Sequence, residues 1–387
     1  MLYRNMAMFL LSNPVKKYQW GHPSLIPDFL GIANPDGGPV AEVWMGTHPG
    51  GASKVQTPAG LRDLQSVQPA GLPFLLKLLA AKQALSIQAH PDLEQARAGF
   101  QRENEQGLAL DDPKRNYKDP NHKPEVLVAL DAPFWGLAGF REPFEISADL
   151  ATLGGLAPGP VPLLDELCAA LAQGGLKALT RALMNADRMA WKDQEPLLAS
   201  AFAHWKALPA AWYPRLTRDF PGDPSVLFLV ILNLFRLQPG EALFTPAGCL
   251  HAYLEGFALE LMATSDNVLR GGLTPKPVDR QELEHIVVFA ASRPQILTPV
   301  ASPAGEEILT PPVPDFQLGC LKAQAAPVHL GVASSPWILI VTEGKVRITQ
   351  GLQTLALKRG DSAVLLPAPE EVSLDVQGTV YRAWSSR

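Results

Sequence analysis

Gln88 and His90 lie in a short segment that alternates polar and apolar residues, which is the pattern of a β-strand. The alternation assigns Leu85, Ile87 and Ala89 to one face and Ser86, Gln88 and His90 to the other. Two polar side chains separated by one strand residue can reach the same metal ion. We therefore predict that Gln88 and His90 face one metal site together.

Glu125 and His251 complete a ligand set of the kind that binds zinc. The proline after Lys123 restricts that lysine to an extended conformation ahead of an apolar strand, so Lys123 and Glu125 are expected to face one side. Two histidines and one glutamate, with a fourth position left for Gln88, water or substrate, are typical of a catalytic zinc site. Cys249 lies two residues before His251 and could be a soft ligand, but a small buried residue is the favoured interpretation.

The spacing around His251 indicates how the chain delivers this side chain. Gly240, Pro246, Gly248, His251 and Glu255 form the pattern G-x5-P-x-G-x2-H-x3-E, which resembles the second motif of the cupin fold. Glu255 stands where that motif usually has asparagine. The pattern predicts a strand, a tight turn that uses glycine, and a second strand that places His251 at the mouth of a small barrel.

The distribution of apolar residues divides the chain into parts. Short apolar runs broken by proline and glycine predict strands up to about residue 145 and again from Glu241 onward. Between residues 146 and 212, alanine and leucine recur at helical spacing. The apolar run from Val226 to Leu237 is ambiguous by periodicity and could be a short helix leading into a strand.

We therefore predict a mainly β fold with an α-helical insertion, built from cupin jelly-roll barrels. Residues 1–145 and 223–300 are expected to form a metal-binding catalytic barrel, residues 146–222 the helical insertion, and residues 301–387 a C-terminal jelly-roll domain. The C-terminal domain is expected to hold no metal, because no histidine or acidic pair occupies the ligand positions of Gly360 to Pro367.

Composition excludes several classes of protein. The 387 residues carry 33 basic and 38 acidic side chains, and the net charge of -5 argues against nucleic acid as a partner. An anionic substrate would therefore need a local group of cations. Three widely spaced cysteines predict no disulfide framework and favour a reducing cytoplasm. The apolar stretch Met6 to Leu11 is too short for a signal peptide, and no segment reaches the roughly 18 apolar residues of a membrane span.

Five motifs resemble those of the type I phosphomannose isomerases. They are WMGTHP from Trp44, QAHPD from Gln88, YKDPNHKPE from Tyr117, PxGxxHAY ending at Tyr253 and SDNVLRGGLTPK ending at Lys276. The pair YKDPNHKPE and LRGGLTPK is highly specific, and the resemblance covers essentially the whole chain. The sequence departs from the family at Leu93, where a basic residue often follows HPD, so one peripheral positive charge is missing.

The resemblance implies a function and assigns residues to it. It implies a zinc enzyme, with one Zn²⁺ per chain, that interconverts mannose 6-phosphate and fructose 6-phosphate through an enediol. The implied zinc ligands are Gln88, His90, Glu125 and His251, and Arg270 is the implied catalytic residue. The residues that it places around the sugar phosphate are Lys77, Ser86, Glu42, His122, Lys123, Glu260, Asp266 and Lys276.

Some alternatives stay open from the sequence. Lys123, His122 or Asp266 could move the proton, because burial and neighbouring charges set each pKa. A different cupin enzyme, such as a metal-dependent glucose-6-phosphate isomerase or a dioxygenase, is one rival, and a sugar-binding module without turnover is another. The cations Lys123, Arg270 and Lys276 count against a dioxygenase and against a binding module.

We expect a monomer or weak homo-oligomer whose partner is a small sugar phosphate, with neither nucleic acid nor a membrane as a partner.

Overall fold

A computed structural model describes residues 6–386, which form two β-sheets of 11 strands each and a group of helices. The prediction of a mainly β fold with a helical portion is confirmed. In the part of the chain that the structure describes, no helix is both long and apolar enough to cross a membrane.

The two sheets take strands from different parts of the chain. The C-terminal sheet contains β1 (Met8–Ser12), β4 (Lys54–Thr57), β5 (Gly60–Asp63), β15 (Val300–Ala301), β16 (Glu307–Leu309), β17 (Gln317–Lys322), β18 (Val328–Val332), β19 (Trp337–Gln350), β20 (Gln353–Lys358), β21 (Ser362–Leu365) and β22 (Glu371–Trp384). The second sheet, here called the site sheet, contains β2 (Val15–Lys16), β3 (Glu42–Met45), β6 (Phe74–Ala81), β7 (Ile87–Ala89), β8 (Glu125–Ala129), β9 (Phe134–Phe140), β10 (Leu232–Leu237), β11 (Ala242–Thr245), β12 (His251–Ala263), β13 (Leu269–Gly272) and β14 (Gln295–Leu297). Within residues 6–386 the strand pairing of neither sheet closes into a barrel.

Strand β12 joins the two halves of the site sheet. Its first residues pair with β7 and β9, and the residues from Gly256 onward pair with β6, while β8 pairs from Ala258. Gly256 has φ of 138°, and a Cβ there would lie 2.6 Å from the Phe134 ring, so glycine is required for this turn of the strand. One continuous strand therefore contributes residues to both halves.

Strand β1 links the N-terminus to the C-terminal sheet. Phe9 pairs with Val364 of β21, and Leu11 pairs with Val55 of β4. Residues 1–145, which the sequence analysis assigned to one barrel, thus contribute strands to both sheets. The proposed domain boundaries stay predictions.

The helices are α1 (Leu25–Leu30), α2 (Leu93–Glu105), α3 (Pro143–Leu156), α4 (Pro162–Met184), α5 (Arg188–His204), α6 (Tyr213–Asp219), α7 (Phe228–Ile231) and α8 (Arg280–Ile286), with 3-10 turns at Leu64–Ser66, Leu208–Ala211 and Pro224–Leu227. Helix α4 is interrupted at Gly174 and Gly175, where the backbone angles are not helical. The predicted short helix before a strand is confirmed, because α7 leads directly into β10.

Each half of the site sheet packs against its own apolar core. The helices pack on the β7 side, where Ile87 contacts the same core as Leu164 and Phe228. On the opposite half, Leu78 and its neighbours pack against the C-terminal sheet through residues such as Ile340. Burial of each such side chain contributes about 1.5–3 kcal/mol relative to exposure. The apolar cores therefore hold in place the strands that carry the candidate ligands.

Candidate metal centre

Three strands bring the predicted ligands together. Gln88 on β7 lies opposite His251, the first residue of β12. Glu125, the first residue of β8, lies opposite Met262 near the other end of β12. One ligand atom from each of His90, Glu125 and His251 lies within 4.8 Å of the others, and all three residues are buried. The two ends of β12 therefore approach each other at this group, here called the ligand set.

The predicted alternation around Gln88 holds at the ligand set but is wrong at Leu85. Ile87 and Ala89 are fully buried in the core on the helical side, and His90 points the other way into the ligand set. Leu85 was expected to share their face, but it is only partly buried and packs against a different apolar cluster, which includes Phe134. The physical reason is that β7 begins only at Ile87, so Leu85 precedes the regular strand.

Hydrogen bonds to backbone carbonyls fix the tautomers of both histidines. His90 Nδ1 donates to the Asn267 carbonyl at 2.7 Å, and His251 Nδ1 donates to the Cys249 carbonyl at 2.9 Å. Burial lowers the pKa of His90 to about 4, so its ring is neutral and Nε2 carries a lone pair. Both Nε2 atoms are thus available as ligands.

The ligand set is arranged as a cation site. His90 Nε2 is buried without a hydrogen-bond partner and lies 3.3 Å from Glu125 Oε1. His251 Nε2 lies 3.5 Å from Glu125 Oε2. Lone pairs that face a carboxylate repel it unless a cation lies between them. The donors are those that zinc prefers, so the residues present fit a zinc ion.

Glu125 is the anionic member of the ligand set. Burial alone would raise the pKa of Glu125, but the Lys123 ammonium holds it well below its usual value. Lys123 Nζ lies 3.1 Å from Oε1, and the Tyr253 hydroxyl donates to Oε2 at 3.1 Å. The predicted shared orientation of Lys123 and Glu125 is confirmed by this contact. Glu125 is therefore an ionised carboxylate in a site with little water access.

Gln88 and Cys249 differ in their relation to the ligand set. The Gln88 side-chain nitrogen lies 3.3 Å from His251 Nε2, and rotation of the amide by half a turn would present oxygen instead. Cys249 contributes its carbonyl to His251, while its Sγ contacts the Leu250 carbonyl at 3.6 Å. Burial raises the pKa of the Cys249 thiol to about 11, which disfavours a thiolate ligand.

A second charged group lies on β3, β6 and β12. Lys77 pairs across the strands with Glu260, and its Nζ lies 2.9 Å from Glu260 Oε2 and 3.7 Å from Glu42 Oε1. Trp44 Nε1 donates to Glu42 Oε2 at 2.7 Å. Burial would lower the pKa of Lys77, but Glu260 and Glu42 hold it above its usual value, while burial raises the pKa of Glu260. The group combines one buried cation with two buried carboxyl groups.

Arg270 and Lys276 are cations that no carboxylate neutralises within residues 6–386. Arg270 on β13 lies opposite Gln88, and its half-buried guanidinium makes no hydrogen bond or ion pair in the described part of the chain. Burial lowers the pKa of Arg270. The pKa of Lys276 is lowered first by Arg270 and then by burial, which shows that the two charges are neighbours. Such a pair is suited to an anion.

The other predicted residues have contacts that the sequence did not indicate. His122 Nε2 lies 2.9 Å from Oδ2 of Asp315, far along the chain. Asp266 faces His48 at 3.4 Å, and although burial would raise the pKa of Asp266, His48 holds it below its usual value. Ser86 is half-buried and forms no side-chain hydrogen bond among residues 6–386. The roles of these residues stay predictions.

Sequence reasoning missed two residues that contact the ligand set. Tyr253 ends the PxGxxHAY motif and lies two residues after His251. On a strand this spacing places the side chains of Tyr253 and His251 on the same face. Asn267 contacts His90 through its backbone carbonyl, and no local pattern identifies such a contact. The fold and the site together define a mainly β protein built around a candidate metal centre.

Comparisons with known proteins identify the family. The family model described as "Phosphomannose isomerase type I, catalytic domain" matches residues 8–143. Mannose-6-phosphate isomerase of Escherichia coli (strain K12) is 36% identical over 97% of this chain and 99% of its own length. The Homo sapiens protein of the same name is 32% identical over 95% of each chain.

Solved structures give the same result. A variant of phosphomannose isomerase from Salmonella typhimurium superposes with a TM-score of 0.91 at 33% identity, covering 99% of this chain and 100% of that one. A zinc-bound mannose 6-phosphate isomerase superposes with a TM-score of 0.90 at 33% identity and the same coverage. The chain belongs to the type I phosphomannose isomerase family.

Proposed function

We propose that this protein is a zinc-dependent mannose-6-phosphate isomerase. The observation that carries the proposal is the buried ligand set, in which two imidazole lone pairs and a carboxylate converge. Relatives with this name and a zinc-bound solved structure support both the reaction and the metal. We infer one Zn²⁺ per chain, because residues 6–386 contain one such group.

Gln88, His90, Glu125 and His251 would hold the zinc. Zinc bound there supplies a Lewis acid that polarises the oxygens of the sugar. The carbonyls of Asn267 and Cys249 orient the two imidazoles, and the Tyr253 hydroxyl orients Glu125. These contacts support the assignment of His90, Glu125 and His251 to one ion, and the 3.3 Å approach of the Gln88 amide to His251 Nε2 supports Gln88 as the fourth ligand.

We infer that the isomerisation passes through an enediol, because a proton must leave C2 and another must reach C1. The candidate proton carriers are Lys123, His122 and Asp266. Lys123 lies at the ligand set, and Asp266 has a lowered pKa that keeps it ionised and able to accept a proton. Loss of one limb of the pH–kcat profile in Lys123→Met, His122→Gln or Asp266→Asn would identify the carrier.

Arg270 and Lys276 are proposed to receive negative charge from the substrate. Arg270 lies opposite Gln88 and retains unused donors, so it can donate to the oxygen that gains charge in the enediolate. Lys276 is exposed beside it and is suited to the phosphate. Ser86 and the group of Glu42, Lys77 and Glu260 supply donors and acceptors for sugar hydroxyls.

The finer fold assignment is also proposed. The bend of β12 and the apolar interior between the halves of the site sheet support a cupin jelly-roll barrel formed by residues 1–145 and 223–300. Residues 146–222 are then the helical insertion, and residues 301–387 a C-terminal jelly-roll domain without metal. Cys168, Cys249 and Cys320 are free thiols, which supports a reducing cytoplasm as the location.

The test is a substrate panel with the zinc-loaded protein. Mannose 6-phosphate and glucose 6-phosphate are supplied separately, and fructose 6-phosphate is measured with a coupled enzyme assay. The proposal expects product from mannose 6-phosphate at a much higher kcat/KM than from glucose 6-phosphate. A preference for glucose 6-phosphate would support the rival isomerase, and binding of sugar phosphate without product would support the binding module.

A further inference from the structure

Asn267 is fully buried in the turn between β12 and β13, and every hydrogen-bonding position of its side chain is used. Its Oδ1 accepts from the backbone N–H groups of Lys118 at 2.7 Å and Asp119 at 3.2 Å. Its Nδ2 donates to the carbonyls of Asp119 and Asn121, both at 2.8 Å. A carboxamide has two acceptor lone pairs and two N–H donors, so its capacity is filled. One side chain thus fixes the loop of residues 118–121.

The same residue also contacts the ligand set through its main chain. The Asn267 carbonyl accepts the 2.7 Å hydrogen bond from His90 Nδ1 that fixes the tautomer of that ring. The loop that its side chain holds continues directly into Lys123 and Glu125, which contact each other at 3.1 Å. Asn267 is therefore bonded to one predicted ligand and holds the segment that precedes another.

We propose that Asn267 is a positioning residue that sets the orientation of His90 and the location of Lys123 and Glu125 together. This inference rests on the proposed zinc site for its affinity and exchange readouts, and on the proposed reaction for its kinetic readout. An amide is required because the loop presents two N–H groups and two carbonyls to the same side chain. Aspartate has the same shape but no donor, so one of its oxygens would face the carbonyls of Asp119 and Asn121 and repel them.

The first test is the variant Asn267→Asp, compared with Asn121→Asp as a matched control. Asn121 is exposed in the same loop, and its side chain donates to the Thr264 carbonyl at 3.2 Å. Zinc affinity is measured by competition with a chromophoric chelator, without substrate. We expect Asn267→Asp to lose about 10- to 100-fold in zinc affinity, as for other groups that orient metal ligands. The control should stay near wild type.

Kinetics on zinc-saturated protein separate positioning from simple destabilisation. Asn267→Asp should lower kcat by about 10- to 100-fold because Lys123 is displaced, with KM for mannose 6-phosphate close to wild type. Serine is smaller and is not repelled by the carbonyls, so Asn267→Ser should also lower kcat with KM close to wild type, but by a smaller factor. A folded Asn267→Asp protein with wild-type zinc affinity and kcat would overturn the inference.

A measurement on the wild-type protein keeps the inference testable if neither variant folds. Coupling is reciprocal, so removal of zinc should speed hydrogen exchange of the Lys118 and Asp119 amides while the β8 amide of Leu127 is unchanged. Equal exchange of these amides with and without zinc would contradict the coupling. If the wild-type protein binds zinc but makes no fructose 6-phosphate, the proposed function fails while the exchange result still tests Asn267.

Discussion

Replacement of Lys77 by methionine should destabilise the protein more strongly at neutral pH than in acid. Lys77 Nζ lies 2.9 Å from Glu260 and 3.7 Å from Glu42, and all three side chains are buried. At an effective dielectric constant of about 20, these distances correspond to gross attractions of about 6 and about 4.5 kcal/mol. The measured loss is expected to be about 3–5 kcal/mol, because removing one partner leaves buried charge without compensation.

The pH dependence follows from Glu260. Burial already raises the pKa of Glu260 above 4.5, and Lys77 opposes that shift, so Lys77→Met raises the pKa further. A carboxyl group whose pKa is higher in the folded than in the unfolded protein stabilises the fold fully at pH values below its unfolded-state pKa. That stabilisation is lost as the pH rises through its folded-state pKa. The deficit of Lys77→Met relative to wild type should therefore grow from pH 5 to pH 8.

Urea denaturation of the zinc-loaded proteins at pH 5 and pH 8 measures the free energy of unfolding directly. Lys77→Met/Glu260→Gln is the matched control, since it removes the uncompensated carboxylate and should regain part of the lost stability. A deficit below about 1 kcal/mol at pH 8, the range of exposed ion pairs, would refute the reasoning. So would a deficit that is the same at both pH values.

Three other perturbations have defined outcomes. Arg270→Ala should lower kcat by about 10²- to 10³-fold with zinc content unchanged, by analogy with the loss of an oxyanion donor. A raised KM with wild-type kcat would instead assign Arg270 to uniform substrate binding. His251→Ala should lower zinc content, measured by elemental analysis, while circular dichroism shows a retained fold; full zinc content would remove His251 from the ligand set. Gly99→Ala should cost about 1–3 kcal/mol in the free energy of unfolding, because a Cβ there would lie 2.3 Å from the Tyr117 ring. Gly155→Ala, with no atom within 4 Å of the new Cβ, is its control and should not destabilise.

Local periodicity predicted the parts of the site that lie within single strands. Gln88 and His90 share a face because side chains alternate along β7 and its extension, and Lys123 and Glu125 meet for the same reason. The turn before His251 was readable from glycine and proline. These features depend on residues within a few positions of each other, which is the range of a sequence pattern.

Contacts between distant segments were not predictable from such patterns. Lys77 and Glu260 are 183 positions apart and meet only because β6 pairs with β12 in one register. The contact of His122 with Asp315 joins residues 193 positions apart. The pairing of β1 with β21 joins strands near opposite ends of the chain, so nothing in the apolar pattern of residues 8–12 indicated it. The resemblance to a family named residues but gave no such contacts.

The most direct test of the central claim is a zinc titration of the metal-free protein. Protein stripped with chelator is given increasing Zn²⁺, and bound zinc is measured alongside conversion of mannose 6-phosphate to fructose 6-phosphate. Since one ligand set is present in the described residues, we expect activity to be absent without metal and to rise until one zinc is bound per chain. Full conversion by protein shown by elemental analysis to be free of metal would contradict the account, and so would a zinc-loaded protein that makes no fructose 6-phosphate.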